Sequence, residues 1–141
     1  MKVTIVYGST TGNTERVAEI IKENLSAHEV TLSNVTACDN SCLSDADLVL
    51  FGSSTWGYGD LQDDFAEYIE TLDNSVLAGK NVAVFGCGDE EGFGEVFCNA
   101  TEIIKTKVEE LGGNIITANL KISNDPEDSM AQIIEFAQAV Q

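Results

Sequence analysis

A chain of 141 residues with 43% hydrophobic composition is the size of one domain with its own core, so neither disulfide staples nor a structural metal is needed to explain its stability. Its 24 acidic and 7 basic residues give a formal charge of −17, which disfavours nucleic acid and anionic lipid and favours partners with basic docking surfaces. No apolar run reaches the roughly 18 residues of a membrane span, and Met1-Lys2-Val3-Thr4-Ile5-Val6-Tyr7 is too short and strand-like for a signal peptide, so the expected location is the cytoplasm.

In chain order, Val3 to Tyr7 reads as a buried strand. Asn13 to Ser26 reads as a helix with Val17, Ile20, Ile21 and Leu25 on one face. Glu29 to Val35 alternates as a second strand, with Val30 and Leu32 on one side. Asp47 to Gly52 holds Leu48-Val49-Leu50-Phe51, a strand buried on both faces. Leu61 to Leu72 is a helix with Leu61, Phe65, Tyr68, Ile69 and Leu72 inward. Asn81 to Phe85 is the fourth strand, and Cys98 to Leu111 is a helix stopped by Gly112-Gly113. Asn114 to Ile122 is the fifth strand, without a long interruption. Asp125-Pro126-Glu127-Asp128 opens the last helix, whose buried face is Met130, Ile133, Ile134 and Ala137. This alternation means an α/β fold with a parallel sheet, and right-handed crossovers place helices on both faces. The whole chain, 1–141, is expected to form a single domain.

In open sheets of this kind, ligands bind beyond the carboxyl ends of the strands, where the strand order reverses. The informative loops are therefore Gly8 to Gly12, Ser53 to Asp60, and Gly86 to Cys98. The first, Gly8-Ser9-Thr10-Thr11-Gly12-Asn13-Thr14, sets hydroxyls and glycines at a helix start, where backbone amides and the helix dipole favour an anion. It has no lysine and the wrong glycine spacing, so it is neither a Walker loop nor a dinucleotide fingerprint. A cradle of neutral donors suits one terminal phosphate. Ordinary capping explains only one or two of its residues. In the second loop, Trp56 lies beside Gly57 and either covers a flat ligand or packs on a neighbouring helix. In the third, Phe93 stands between Gly92 and Gly94 with no sequence reason to be core, while Phe97 reads as packing inward. A planar ring between two aromatics, with a phosphate on a short tail, describes FMN.

Cys38, Cys42, Cys87 and Cys98 are expected to be reduced thiols. Cys38 and Cys42 have no second pair at zinc spacing, and the one histidine, His28, sits beside the second strand, so no metal site is expected.

At these residues the chain resembles the flavodoxins. Tyr7-Gly8-Ser9-Thr10-Thr11-Gly12-Asn13-Thr14-Glu15 is similar to their FMN-phosphate signature. Gly52-Ser53-Ser54-Thr55-Trp56-Gly57 and Leu61-Gln62-Asp63-Asp64-Phe65 resemble the second flavin loop of flavodoxins from sulfate-reducing bacteria. Phe85-Gly86-Cys87-Gly88-Asp89 and Phe97-Cys98 resemble their third loop, and the likeness runs over essentially the whole chain. It implies a doubly wound, five-stranded parallel sheet in the order 2-1-3-4-5, flavodoxin itself being a standard illustration of that order with FMN at the switch point. It also implies a short-chain, low-potential electron carrier, a monomer and not an enzyme. Such a carrier holds FMN non-covalently through its one- and two-electron reduced states and meets redox partner proteins transiently, with no nucleic acid or membrane partner.

Residue by residue, the resemblance implies that Ser9, Thr10, Thr11, Asn13 and Thr14 hold the phosphate, with Gly12 in the same turn and Ser54 closing the site. Thr55, Trp56 and Gly57 would line the ring, Trp56 near its dimethylbenzene side. Asp89 would meet the pyrimidine edge, completed by the backbones of Cys87, Gly88 and Cys98 beside Phe97. Here the second loop is shorter than the family's, with Tyr58-Gly59-Asp60 in place of a longer acidic segment, and the third is longer. Phe93 stands where relatives place a tyrosine on the outer flavin face, with Tyr58 as the other candidate. Gly57 can turn its carbonyl toward flavin N5, and the carboxylates of Asp60, Asp63, Asp64, Asp89, Glu90, Glu91 and Glu95 would disfavour added negative charge on the ring. The alternative is a small NAD(P)H-dependent quinone or nitro reductase on the same fold, which needs extra room above the flavin. A phospho-receiver domain needs an acidic cluster after the first strand and a lysine after the last; Val6-Tyr7-Gly8 and Ile122-Ser123 stand there instead.

Overall fold

A computed structural model describes residues 2–8, 12–37, 41–44, 46–56, 60–61, 63–72, 74–88, 99–123 and 126–140. Its strands are β1 (Lys2–Gly8), β2 (Glu29–Asn34), β3 (Leu48–Trp56), β4 (Asp60–Leu61), β5 (Asn81–Gly88), β6 (Asn114–Ile115) and β7 (Leu120–Ser123). Its helices are α1 (Asn13–Glu23), α2 (Ser41–Ser44), α3 (Asp63–Ile69), α4 (Asn74–Leu77), α5 (Asn99–Glu110) and α6 (Met130–Ala139), with 3-10 turns at Val35–Ala37 and Pro126–Ser129.

The pattern of the central strands dictates a sheet covered twice. On β1, β3 and β5, Val3, Ile5, Leu48, Leu50, Ala83 and Phe85 point to one face and pack on Val17, Ile20 and Ile21 of α1 and on Ile133, Phe136 and Ala137 of α6. The alternate residues Val6, Val49, Phe51, Val82 and Val84 point to the other, against Leu43, Phe65, Tyr68, Leu77, Ile104 and Val108. Because side chains alternate with period two, strands buried on both sides read as unbroken apolar runs. Phe51, Phe65 and Tyr68 meet edge to face with centroids 5.7–6.4 Å apart, an arrangement worth about 0.5–1.5 kcal/mol per pair beyond area burial. In the last helix it is Phe136, edge-on to Phe85, that completes the buried face; Ile134 is only partly covered.

The strands run β2-β1-β3-β5, all parallel, with β6 and β7 sharing the position beyond β5. This is the order 2-1-3-4-5 with the fifth strand broken. The expected continuous strand from Asn114 to Ile122 is corrected here: Ile115 pairs with Val82 and Leu120 with Phe85, so five steps on one side match three on the other. In the surplus Ile116 is exposed while polar Thr117 and Asn119 are partly buried, and a sheet edge tolerates the extra residues.

Three further boundaries differ from the sequence reading. Ser53 to Trp56 and Gly86 to Gly88 continue β3 and β5 instead of opening loops, since Ser53 pairs with Gly86, Ser54 with Cys87, and Thr55 and Trp56 with Leu61 and Asp60 of antiparallel β4. Ladder bonds use the backbone alone, so a small polar tract can extend a strand. Leu61 therefore belongs to β4, and the helix expected from Leu61 begins at Asp63.

One glycine is set by packing. A Cβ at Gly52 would lie 2.2 Å from the ring of Phe85, its neighbour across the sheet. Gly52→Ala should therefore cost about 1–3 kcal/mol by overpacking, read as a lowered thermal midpoint, and Phe85→Leu in the same chain should recover part of the loss. If the single variant melts with the parent, the ring has another place to go.

Candidate functional site

From β1 the chain passes to β2 on one side and then to β3 on the other, so the strand order reverses at β1. In open sheets of this kind ligands bind at such a reversal, beyond the carboxyl ends of the strands. Gly8, Ser53 and Gly86 lie level across β1, β3 and β5 at that end. Gly86 permits the close approach: a Cβ there would meet the Ser53 carbonyl oxygen at 2.7 Å and the methyl of buried Thr101 on α5 at 2.6 Å. The helix α1 starts from the same end. Gly12 opens it at φ +94°, a left-handed conformation that a side chain resists, and nothing among the described residues lies within 4 Å of where its Cβ would be. The cap residue is itself a glycine with no side chain, and the Arg16 amide donates to the Gly12 carbonyl at 2.9 Å. The amides of the first turn thus precede the ladder, at the positive end of the helix dipole.

Two polar contacts tie strand ends and helix together. Thr14, in the first turn of α1, is fully buried and its side chain is hydrogen-bonded to Cys87 near the end of β5. Burial pushes the Cys87 thiol up to about 11, the bond to Thr14 pulling weakly the other way. At the end of β1 the Tyr7 phenol is bonded to the Asn34 side chain of β2; burial foremost, then the charge of Glu15, raises it above its usual range. Arg16, the cation nearest in sequence to the first loop, is engaged elsewhere: its Nε donates to Glu127 at 2.6 Å and it lies 3.8 Å from Glu23.

Of the residues singled out by sequence, Gly12, Asn13, Thr14, Cys87 and the backbone of Gly88 come to this end of the sheet, as do the strand positions of Ser54, Thr55 and Trp56. Ser9, Thr10, Thr11, Gly57, Tyr58, Asp89, Phe93, Phe97 and Cys98 lie outside the described residues. The inward turn of Thr14 was missed, although a signal existed. Thr14, Val17, Ala18, Ile21 and Leu25 follow the helical i, i+3, i+4 spacing, so Thr14 prolongs the buried stripe. Asn34 and its tie to Tyr7 had no local signal.

The Flavodoxin family profile matches residues 5–136. The chain belongs to the flavodoxin family. It is 47% identical over 131 residues to the flavodoxin of Maridesulfovibrio salexigens, covering 89% of this chain and 88% of that one. It is 38% identical to the flavodoxin of Nitratidesulfovibrio vulgaris, over 98% of this chain and 95% of that one. Among solved structures, oxidised flavodoxin 2 of Bacillus cereus superposes with a TM-score of 0.87 at 39% identity, covering 99% of this chain and 97% of that one. Flavodoxins are electron carriers that interact with redox partner proteins, and no helix among the described residues is long and apolar enough to cross a membrane.

The raised Cys87 thiol has a consequence for this flavodoxin at alkaline pH. The unfolded chain releases that proton near 9.0 and the folded chain near 11, so the unfolded state binds fewer protons between these values. The thiol's contribution is whole below about pH 9 and is lost as the pH rises to 11. Thermal stability from pH 8 to 11 should fall more steeply in the parent than in Cys87→Ala. Parallel curves would show that the thiol is not desolvated.

Proposed function

We propose that the whole chain, 1–141, works as one FMN-binding domain that carries electrons at low potential between redox enzymes. The observation that carries this reading is the opening of α1 at the strand-order reversal. Gly12 presents backbone, and nothing among the described residues lies within 4 Å of where a Cβ would stand, so phosphate oxygens can approach the first-turn amides. FMN therefore fits the residues present. Bound there, FMN supplies one- and two-electron chemistry.

This chain's own residues bind and orient it. Ser9, Thr10, Thr11, Gly12, Asn13 and Thr14 hold the phosphate through neutral donors, with Ser54 closing the site. Thr55, Trp56 and Gly57 line the ring, with Phe93 or Tyr58 on the outer face. Cys87, Gly88, Asp89, Phe97 and Cys98 surround the pyrimidine edge. The Gly57 carbonyl holds a proton at flavin N5, which a glycine peptide can turn to do. The net charge of −17 steers partners with basic docking surfaces toward the carrier, an attraction that falls as salt rises. The carrier works in the cytoplasm as a monomer.

Purified protein should be yellow with flavin absorption bands, and apoprotein should bind FMN more tightly than riboflavin. A colourless protein that ignores added FMN would sink the reading. Thr11→Val should weaken FMN selectively by about 1.5–3 kcal/mol, the worth of a charge-assisted hydrogen bond. Gly57→Val should lower the first reduction potential with less effect on FMN affinity, and potentiometric titration giving equal potentials would remove that role from Gly57.

A further inference from the structure

Arg16 stands one turn inside α1, its amide bonded to the Gly12 carbonyl, and the other basic residue of that helix, Lys22, is in the last turn. Side chains on a helix lean toward its N-terminus. Left to itself, the Arg16 guanidinium would lie over the first turn, whose amides form the phosphate end of the flavin site. It is drawn elsewhere. Its Nε donates to Glu127 Oε1 at 2.6 Å, and its Nη1 lies 3.8 Å from Glu23, about two turns further along α1. Glu127 belongs to the Pro126–Ser129 turn, which packs against α1 and follows β7 in the chain. Because β7 runs parallel to β5, that turn sits at the carboxyl end of the sheet, where α1 also begins. We propose that Arg16 is a latent ligand of the flavin phosphate and that Glu127 withholds it, so that this chain holds FMN less tightly than its own residues would allow. The inference rests on the flavin reading above and deepens it.

Phosphate and carboxylate compete for Arg16. A guanidinium meets a phosphate through two parallel charge-assisted bonds, a contact that hydroxyls and amides cannot supply. Here the guanidinium is spent on two carboxylates, one on a different element and one on its own helix beyond the ligand end. Both partners of the short pair are well exposed, so water screens it and the hold is shallow. A shallow hold makes the cation releasable: loss of one carboxylate frees it without disturbing the core. Glu127 also repels a dianion directly, being a negative charge at the same end of the sheet. The two effects separate according to whether Arg16 is present, since only the first needs it.

FMN and riboflavin are titrated into apoprotein of the parent, Glu127→Gln, Arg16→Gln, and Glu127→Gln combined with Arg16→Gln. Glu127→Gln should bind FMN about three- to tenfold more tightly at low salt, less than a desolvated charge-assisted contact would give, and riboflavin within about twofold of the parent. At about 1 M salt, where the screening length is about 3 Å, most of the gain should vanish. Arg16→Gln alone should leave FMN affinity within about twofold, because a withheld cation adds nothing to the parent's phosphate contact. Combining Arg16→Gln with Glu127→Gln should remove most of the gain, as expected of coupled side chains. Glu23→Gln combined with Glu127→Gln keeps the test decisive if Glu23 by itself retains the guanidinium. The proposal is overturned if neither this variant nor Glu127→Gln raises the preference for FMN over riboflavin. It is overturned equally if the gain persists without Arg16, which makes it loss of repulsion only, or if Arg16→Gln alone weakens FMN several-fold, which puts Arg16 on the phosphate already. A parent that binds riboflavin as tightly as FMN overturns the phosphate reading and this inference with it. A parent that prefers FMN, with variants that leave the preference unmoved, overturns this inference alone.

Discussion

Each of β1, β3 and β5 buries side chains on both faces of the sheet, and the remaining elements are placed by what those faces need. The face bearing Ile5, Leu50 and Phe85 is closed by α1 and α6, and the face bearing Val6, Phe51 and Val84 by helices that include α3 and α5. Helices on opposite faces require the chain to wind outward from β1 in both directions, and this winding creates the reversal of strand order. The reversal of strand order is thus a by-product of covering a hydrophobic sheet twice. No polar side chain has to build it.

What sits at the reversal depends on small residues more than on charged ones. Gly52 leaves room for the Phe85 ring, which in turn reaches Phe136 of α6. Gly86 lets β5 lie against the Ser53 carbonyl and the methyl of Thr101. The carboxyl end of the sheet is therefore packed tightly enough that strand ends keep their spacing, while nothing among the described residues lies within 4 Å of where a Cβ at Gly12 would stand. Close packing below and open backbone above is the arrangement that a ligand held by amides requires.

Charge is kept to the outside of this arrangement. Arg16 spans from α1 to Glu127 in the turn before α6, and Lys121 of β7 lies 3.0 Å from Glu102 of α5, holding that carboxyl below its usual range. Asn119 Nδ2 donates to the same carboxylate at 3.3 Å, so the segment between β6 and β7 is tied to α5 by polar contacts. Exposed pairs of this kind add little stability each. Their effect is to engage Arg16 and Lys121 locally.

The strands, the main helices and their buried faces were legible in the sequence because hydrophobic periodicity is a local signal that the core must obey, as Val17, Ile20, Ile21 and Leu25 show. The glycine-and-hydroxyl run after β1, and with it the family, was legible for the same reason: a helix start is read from adjacent residues. The ends of β3 and β5 were not, since Ser53 to Trp56 and Gly86 to Gly88 are strand only because a neighbouring strand takes up their backbone bonds. The break in the fifth strand was hidden too, because it arises from a mismatch of step count against β5. Thr14 marks the division between the two kinds of information. Its place at the head of a helix follows from its neighbours in sequence, whereas its pairing with Cys87 required β5 and α1 to meet, a long-range approach that no local pattern encodes.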